Sequence, residues 1–272
     1  MAGKSSIEWT NSTWNPVTGC TKITAGCDHC YAATFVERFR GVPGHTYEMG
    51  FDLMPRPERL KQPLAWRQPQ KIFVNSMSDL FHKDIDPAYI HRVFDTMEAA
   101  HWHVFQVLTK RSPVMRDYML GRYSGDKPPE NVWLGVSVEN AGSRARIEHL
   151  RSTPAAVRFL SVEPLIGPLG TVSLAGIDWV ILGGESGAGF RPMAVEWARE
   201  VRDQCIEQGV AFFFKQWSAY RPKTKDRLLD GREWNEYPTV LPERTDLGFR
   251  MRGAPLDASA AGRGPTPGAG LA

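Results

Sequence analysis

Between Lys71 and Trp217 the apolar positions fall into six short runs, each ending in a polar cluster. Lys71–Asn75 leads into Ser76-Met77-Ser78-Asp79, His103–Leu108 into Thr109-Lys110-Arg111, and Val132–Val136 into Ser137-Val138-Glu139-Asn140. Arg158–Leu160 leads into Ser161-Val162-Glu163-Pro164, Trp179–Leu182 into Gly183-Gly184-Glu185-Ser186, and Val210–Phe214 into Lys215-Gln216-Trp217. β-Branched and aromatic runs with little alternation suit strands buried on both faces, as in a parallel sheet. Helices are predicted between several of them. Asp86 reads as an N-cap with Pro87 at the first helical position and Ala88–Ala100 following, and Ala141–Arg151 and Val195–Glu207 read as helices too. A further short strand is expected near Ile7–Trp9. Strand–helix alternation implies right-handed crossovers, so the expected fold is α/β, a partial (β/α)6 TIM-type barrel of parallel strands. In such an architecture the loops at the C-terminal strand ends carry the chemistry.

Two regions lie outside this rhythm. Gly41–Gln70 is rich in Pro and Arg and reads as an irregular excursion over the barrel mouth, and Leu229–Trp234 reads as a hairpin with Asp230-Gly231 at its tip. After Leu241 the composition turns to Ala, Gly, Pro and Arg, which predicts a disordered C-terminal tail. The expected division is therefore a barrel domain with an N-terminal cysteine loop over residues 1–240, and a low-complexity tail over 241–272. With 42% hydrophobic residues and 33 Lys+Arg against 30 Asp+Glu, the 272-residue chain is too apolar to be disordered throughout, and its net charge of +3 permits a nucleic-acid partner without requiring one. No run approaches the roughly 18 apolar residues of a membrane span, and the first 30 residues lack the apolar stretch of a secretory signal. A cytoplasmic protein with no membrane association is expected, and no obligate protein partner is evident.

The strongest chemical signal is the cysteine spacing. Cys20, Cys27 and Cys30 stand as C-x6-C-x2-C in one loop, while the fourth cysteine, Cys205, falls in a predicted helix and reads as a small buried hydrophobe. Three clustered thiols in a chain of this size point to a metal site in a reducing compartment. A structural zinc calls for four protein ligands, and His29, His45 or His82 would have to complete it. Three thiolates with an open fourth position suit a [4Fe–4S] cluster whose unique iron is free for another ligand.

Asn15-Pro16-x-x-Gly19-Cys20 followed by Cys27-x-x-Cys30-Tyr31-Ala32 resembles the cluster loop of radical S-adenosylmethionine (SAM) enzymes, in the branch that contains spore photoproduct lyase. Over roughly residues 5–240, Ile7-Glu8-Trp9-Thr10, the cysteine loop, Ser78–His82, Leu108–Arg111, Gly135–Glu139, Ser161–Pro164 and Gly183–Gly187 resemble a phage-associated group of three-cysteine proteins of the radical SAM type. The resemblance implies a [4Fe–4S] cluster held by Cys20, Cys27 and Cys30, SAM as cofactor and an external one-electron reductant. Most radical SAM enzymes space the first two cysteines by three residues, and this chain has six. The Gly-Gly-Glu that holds the SAM amine in those enzymes follows the second strand. Here Gly183-Gly184-Glu185 follows a much later one, so Asn75, Ser76 and Ser78 are the candidates by position. Ser137 and Glu139 lie where relatives hold the ribose hydroxyls, and His29 lies where the backbone approaches the adenine.

Glu139, Glu163 and Tyr31 are the candidate catalytic groups, with Glu185 on the same rim. Lys110, Arg111 and Lys215 are the candidate phosphate contacts, and Trp14, Tyr31, Trp217 and Tyr220 are candidates to stack on an unstacked base. The expected function is a radical SAM enzyme that rearranges or modifies a thymine-derived base in DNA, phage DNA in particular, as in thymidine hypermodification. The alternatives are a photoproduct lyase-like repair enzyme and a non-catalytic zinc- or cluster-stabilised nucleic-acid-binding protein.

Overall fold

In the computed structural model, which describes residues 5–222 and 227–238 together with the backbone of 242–245 and 248–251, seven strands form one sheet in strict sequence order. They are β1 (Ser12–Trp14), β2 (Lys71–Val74), β3 (Val104–Thr109), β4 (Val132–Ser137), β5 (Val157–Val162), β6 (Trp179–Gly183) and β7 (Ala211–Gln216), and every neighbouring pair is parallel. A sheet wound this way always in one direction curls into a half-barrel, as the strand rhythm predicts.

The first strand corrects the expectation at Ile7–Trp9. Those residues turn, and pairing begins at Ser12, because Asn11 is fastened to the end of β2: its N–H donates to the Lys71 carbonyl at 3.0 Å and its Oδ1 accepts from the Lys71 N–H at 2.8 Å. Trp9 instead packs into the concave face of the sheet, where it is buried.

Side-chain parity divides the core in two. One face of the strands (Val74, Phe105, Val107, Leu134, Val136, Leu160, Val180, Leu182, Phe212, Phe214) packs under the crossover helices. The other gathers Trp9, Phe73, Trp133, Phe159, Trp179 and Phe213 into an aromatic floor. Tyr237 closes this floor from the far edge. Its ring lies 5.1 Å from Trp179 and 5.6 Å from Phe213, with Lys71 Nζ 3.7 Å above it. Tyr237 thus bridges the start of β2 to β6 and β7 at the bottom.

The connections are α1 (Tyr31–Val36), α2 (Pro87–Ala99), α3 (Ser112–Arg122), α4 (Ala145–Arg151) and α5 (Val195–Glu207). Helix α3 was not anticipated, and β5 and β6 are joined without an α-helix. Helix α2 starts as predicted, with Asp86 Oδ1 accepting from Ala88 N at 2.9 Å and Pro87 following. Asp86→Ala should therefore cost about 1 kcal/mol, measurable as a lower denaturation midpoint at unchanged slope; an unmoved midpoint would show the cap to be dispensable. The hairpin at Leu228–Leu229 and Arg232–Glu233 turns through Asp230 (φ 54°) and Gly231 (φ 72°). The disordered tail expected over 241–272 falls largely outside the described residues; Pro242–Thr245 and Gly248–Met251 pair as an antiparallel hairpin. Among the described residues no helix is long and apolar enough to cross a membrane.

Candidate functional site

Above the aromatic floor, parity brings a layer of charge to the C-terminal ends of the strands. Lys110, Glu139, Glu163, Glu185 and Lys215 follow or end β3, β4, β5, β6 and β7, and the cysteine loop lies across them.

That loop starts at Gly19, whose N–H donates to the Met77 carbonyl at 3.0 Å, and Cys20 N–H donates to the Phe51 carbonyl at 3.2 Å. The Pro/Arg-rich excursion is thus its seat: Val17–Thr18 pairs with Met54–Pro55. A 3-10 turn, Ala25–Cys27, carries the second thiol, and Cys30 precedes α1. All three thiols are half-buried and none is in a disulfide.

Two rim carboxylates grip the loop directly. Glu139 accepts from Thr24 Oγ1 at 2.9 Å, from Arg146 Nη1 at 3.0 Å and from Lys110 Nζ. The turn rests so closely upon it that a Cβ on Gly26 would lie 2.6 Å from Glu139 Oε1. Glu185 meets His29 Nδ1 at 2.9 Å and accepts from Arg191 N at 2.8 Å and Arg191 Nε at 3.0 Å, while Arg191 Nη2 donates to the Ala25 carbonyl at 2.8 Å. Burial alone would raise the Glu185 carboxyl, but the hydrogen bonds from Arg191 and His29 outweigh it and hold it at about 2. Burial is likewise outweighed at Glu139 by Lys110, Arg146 and Thr24, so that carboxyl also stays below its ordinary range. Both are fixed anions.

A third grip comes from Arg111, which reaches Cys20 Sγ at 3.5 Å and the Thr21 carbonyl at 3.1 Å and is paired with Asp79 at 2.9 Å. His82 Nε2 shares a 2.8 Å hydrogen bond with Thr21 Oγ1. The Cys20 thiol is pushed up by burial against the opposing pull of Arg111. At Cys27 burial is outweighed by Lys110 and by hydrogen bonds from the backbone of Ile23 and Thr24, so that thiol is lowered.

Glu163 and Lys215 stand apart from the loop. They pair with each other at 2.8 Å, Ser161 Oγ donates to Glu163 Oε2 at 3.2 Å, and Gly183 leaves room where a Cβ would lie 2.8 Å from Glu163 Oε1. Of the polar groups after β2, Asn75 is buried at φ 60°, its Oδ1 accepting from Val17 N at 3.3 Å and its Nδ2 without a partner. Ser76 bonds Asn15, and Ser78 Oγ donates to the Val17 carbonyl at 2.9 Å. Tyr31 is half-exposed and its hydroxyl donates to the Ser76 carbonyl at 2.5 Å. Ser137 is buried and lies in register with Ser161.

The candidate phosphate contacts Lys110, Arg111 and Lys215 are paired in this structure with Glu139, Asp79 and Glu163. Trp14 cannot stack on a base: it is buried, with Nε1 donating to the Arg59 carbonyl at 2.8 Å. Trp217 donates to the Leu228 carbonyl and packs on Phe214, whereas Tyr220 is exposed. The sequence reading missed Asp79, Thr24 and Arg191 as members of the site; an Arg in a Gly-rich loop with no acid beside it was the one local signal, at Arg191.

Thiolates around one zinc, each about 2.3 Å from it, must converge on a point. Among the described residues no three His, Cys, Asp or Glu side chains converge so as to hold a single ion. Of the histidines near the loop, His29 meets Glu185 through Nδ1, His82 meets Thr21 through Nε2, and His45 stacks on Phe39 at 4.0 Å. Three half-buried thiols on one loop, none in a disulfide, with Arg111 beside Cys20 and Thr24 beside Cys27, are the donor chemistry that an iron–sulfur cluster uses.

No curated protein matches the chain. Among solved structures, spore photoproduct lyase complexed with dinucleoside spore photoproduct aligns over 75% of this chain and 63% of its own, at 10% identity and a TM-score of 0.42, so this chain spans less than two thirds of that protein's length. The family model described as protein of unknown function (DUF5131) matches residues 4–238, and the chain belongs to that family.

Proposed function

We propose that the protein is a radical SAM enzyme acting on a thymine-derived base in DNA, with Cys20, Cys27 and Cys30 holding a [4Fe–4S] cluster at the mouth of the half-barrel. The observation that carries this reading is the seating of a three-thiol loop, of radical SAM type in its sequence, on fixed carboxylates at the C-terminal strand ends. When bound, the cluster and SAM would supply one chemistry: reductive cleavage of the sulfonium C–S bond by an electron from an external one-electron reductant, and with it the capacity to take a hydrogen atom from the substrate.

The chain's own residues then divide the work. Asn75, whose buried Nδ2 is without a partner, Ser76, Ser78, Ser137 and His29 line the cofactor side. Glu139 and Glu185 hold the loop in place rather than touch substrate. Glu163, Lys215 and Tyr31 face the substrate: a carboxylate that accepts and an ammonium that donates suit a ring edge with adjacent N–H and C=O groups. The aromatic floor excludes water beneath them. A duplex base would have to be extruded to reach this rim. Cys205 lies on the buried face of α5, in the core between the helices and the sheet, with its thiol pushed up to about 12 by burial. No fourth thiol is therefore available as a hydrogen donor, which favours rearrangement or modification of the base, as in hypermodified phage DNA, over a lyase that returns hydrogen from a cysteine.

Anaerobic reconstitution with iron and sulfide, followed by reduction with SAM present, is the test. The expected result is 5′-deoxyadenosine in amounts that rise when thymine-modified DNA is added, and Glu163→Gln is expected to lose the rise but keep the basal cleavage. One tightly held zinc per chain and no 5′-deoxyadenosine would overturn the proposal in favour of a binding protein.

A further inference from the structure

The three thiols are not equivalent in their surroundings. Arg111 Nη1 lies 3.5 Å from Cys20 Sγ, and Nη2 reaches both Thr21 O and Thr21 Oγ1 at 3.1 Å. Cys27 has no guanidinium at its sulfur: it shares a hydrogen bond with Thr24 Oγ1 at 3.8 Å, and its cation is the Lys110 ammonium. The guanidinium is not free to swing. Asp79 Oδ2 accepts from Arg111 Nη1 at 2.9 Å and from Lys110 N at 3.1 Å, and Asp79 Oδ1 accepts from Thr109 Oγ1 at 2.7 Å and from Phe81 N at 3.0 Å. The Arg111 and Asp79 side chains are 9% and 8% exposed. If Arg111 moved off the sulfur it would leave a buried carboxylate without its counter-charge, an arrangement that strongly destabilises a fold. A simple loop staple would need no charge at the sulfur, since the two contacts to Thr21 already fix the chain there.

We infer that Arg111 is a positioning residue that raises the electron affinity of the cluster through the Cys20 sulfur, with Asp79 as the opposing charge that moderates it. The inference rests on the cluster reading given above. Its physical basis is general: reduction adds negative charge, so a cation and a hydrogen bond at a ligand sulfur favour the reduced form, and an anion behind them disfavours it. Of the charged groups near Cys20, Arg111 and Asp79 act with opposite sign, and removing them must move the potential in opposite directions.

The experiment is a redox titration of the full-length, anaerobically reconstituted chain, followed by the electron paramagnetic resonance signal of the reduced cluster, with iron and sulfide counted per chain. Arg111→Gln is expected to keep the wild-type iron content and shift the midpoint potential to more negative values. Asp79→Asn is expected to shift it to more positive values. Arg111→Lys, which keeps the charge but not the fork of donors, should fall between wild type and Arg111→Gln. If Asp79→Asn does not fold, the Gln–Lys–Arg order at position 111 carries the test alone. Shifts of one sign for both charge removals, or an unmoved potential at full iron content, would overturn the inference and leave the cluster reading standing. So would iron loss in Arg111→Gln with wild-type potential in Arg111→Lys. A wild-type chain that takes up zinc and no cluster overturns both.

Discussion

Alanine at any one of Cys20, Cys27 or Cys30 is expected to abolish the brown chromophore of the reconstituted protein and its cleavage of SAM, whereas Cys205→Ala leaves both intact. Loss of an outer partner of a metal ligand already costs about 10–100-fold, so loss of a ligand itself should exceed that range. Each variant should fold, because the three thiols are half-buried in a loop and contribute little to either core. Cys205 has the opposite profile. It is fully buried on α5 against the sheet, so its replacement should cost about 1 kcal/mol of stability and no iron. Iron and sulfide analysis beside a denaturation midpoint separates the two behaviours. Full iron in any of the three loop variants would remove that cysteine from the ligand set.

The contrast between these cysteines was visible in spacing alone, because three thiols within one loop are a local pattern. Strands were legible for a similar reason. A buried parallel strand writes a continuous apolar run, and six of the seven carry one. The exception, β1, has only Ser12, Thr13 and Trp14, and becomes a strand through what Asn11 does to Lys71, sixty residues away in the chain. Sequence periodicity holds no record of that. The rim is the larger case. Parity told which residues reach the C-terminal ends of the strands, but not which charges would meet there. Lys110 and Arg111 read as free cations because Glu139 and Asp79, their partners, lie 29 and 32 residues away. Helix α3 went unread because Lys110, Arg111 and Ser112-Pro113 look like a polar turn; the turn is its N-terminus, with Pro in the first turn. What the chain encodes locally could be read, and what it encodes by closing the sheet could not.

Gly19→Ala should be the most damaging single-methyl addition in the site, and it tests the seat of the loop without touching a ligand. Gly19 has φ +79°, a conformation in which a side chain costs about 1–2 kcal/mol. Its added Cβ would also lie 2.0 Å from the Asp52 carbonyl oxygen and 2.6 Å from that of Phe51. Both are backbone atoms, which cannot turn aside as a side-chain tip can. The same stretch accepts the Cys20 N–H, so relief of the clash must pull the first thiol away from its seat. Strain and overpacking together should cost about 3 kcal/mol or more, with iron uptake lost in the fraction that still folds. Gly41 is the control. It has nearly the same φ, +76°, and nothing within 4 Å of its added Cβ, so Gly41→Ala should cost only the conformational part, about 1–2 kcal/mol, and keep its iron. Denaturation midpoints and iron content of the two variants, measured side by side, read the difference. Equal losses would mean that the seat on residues 51–52 yields, and that the loop is positioned by Glu139, Glu185 and Arg111 alone.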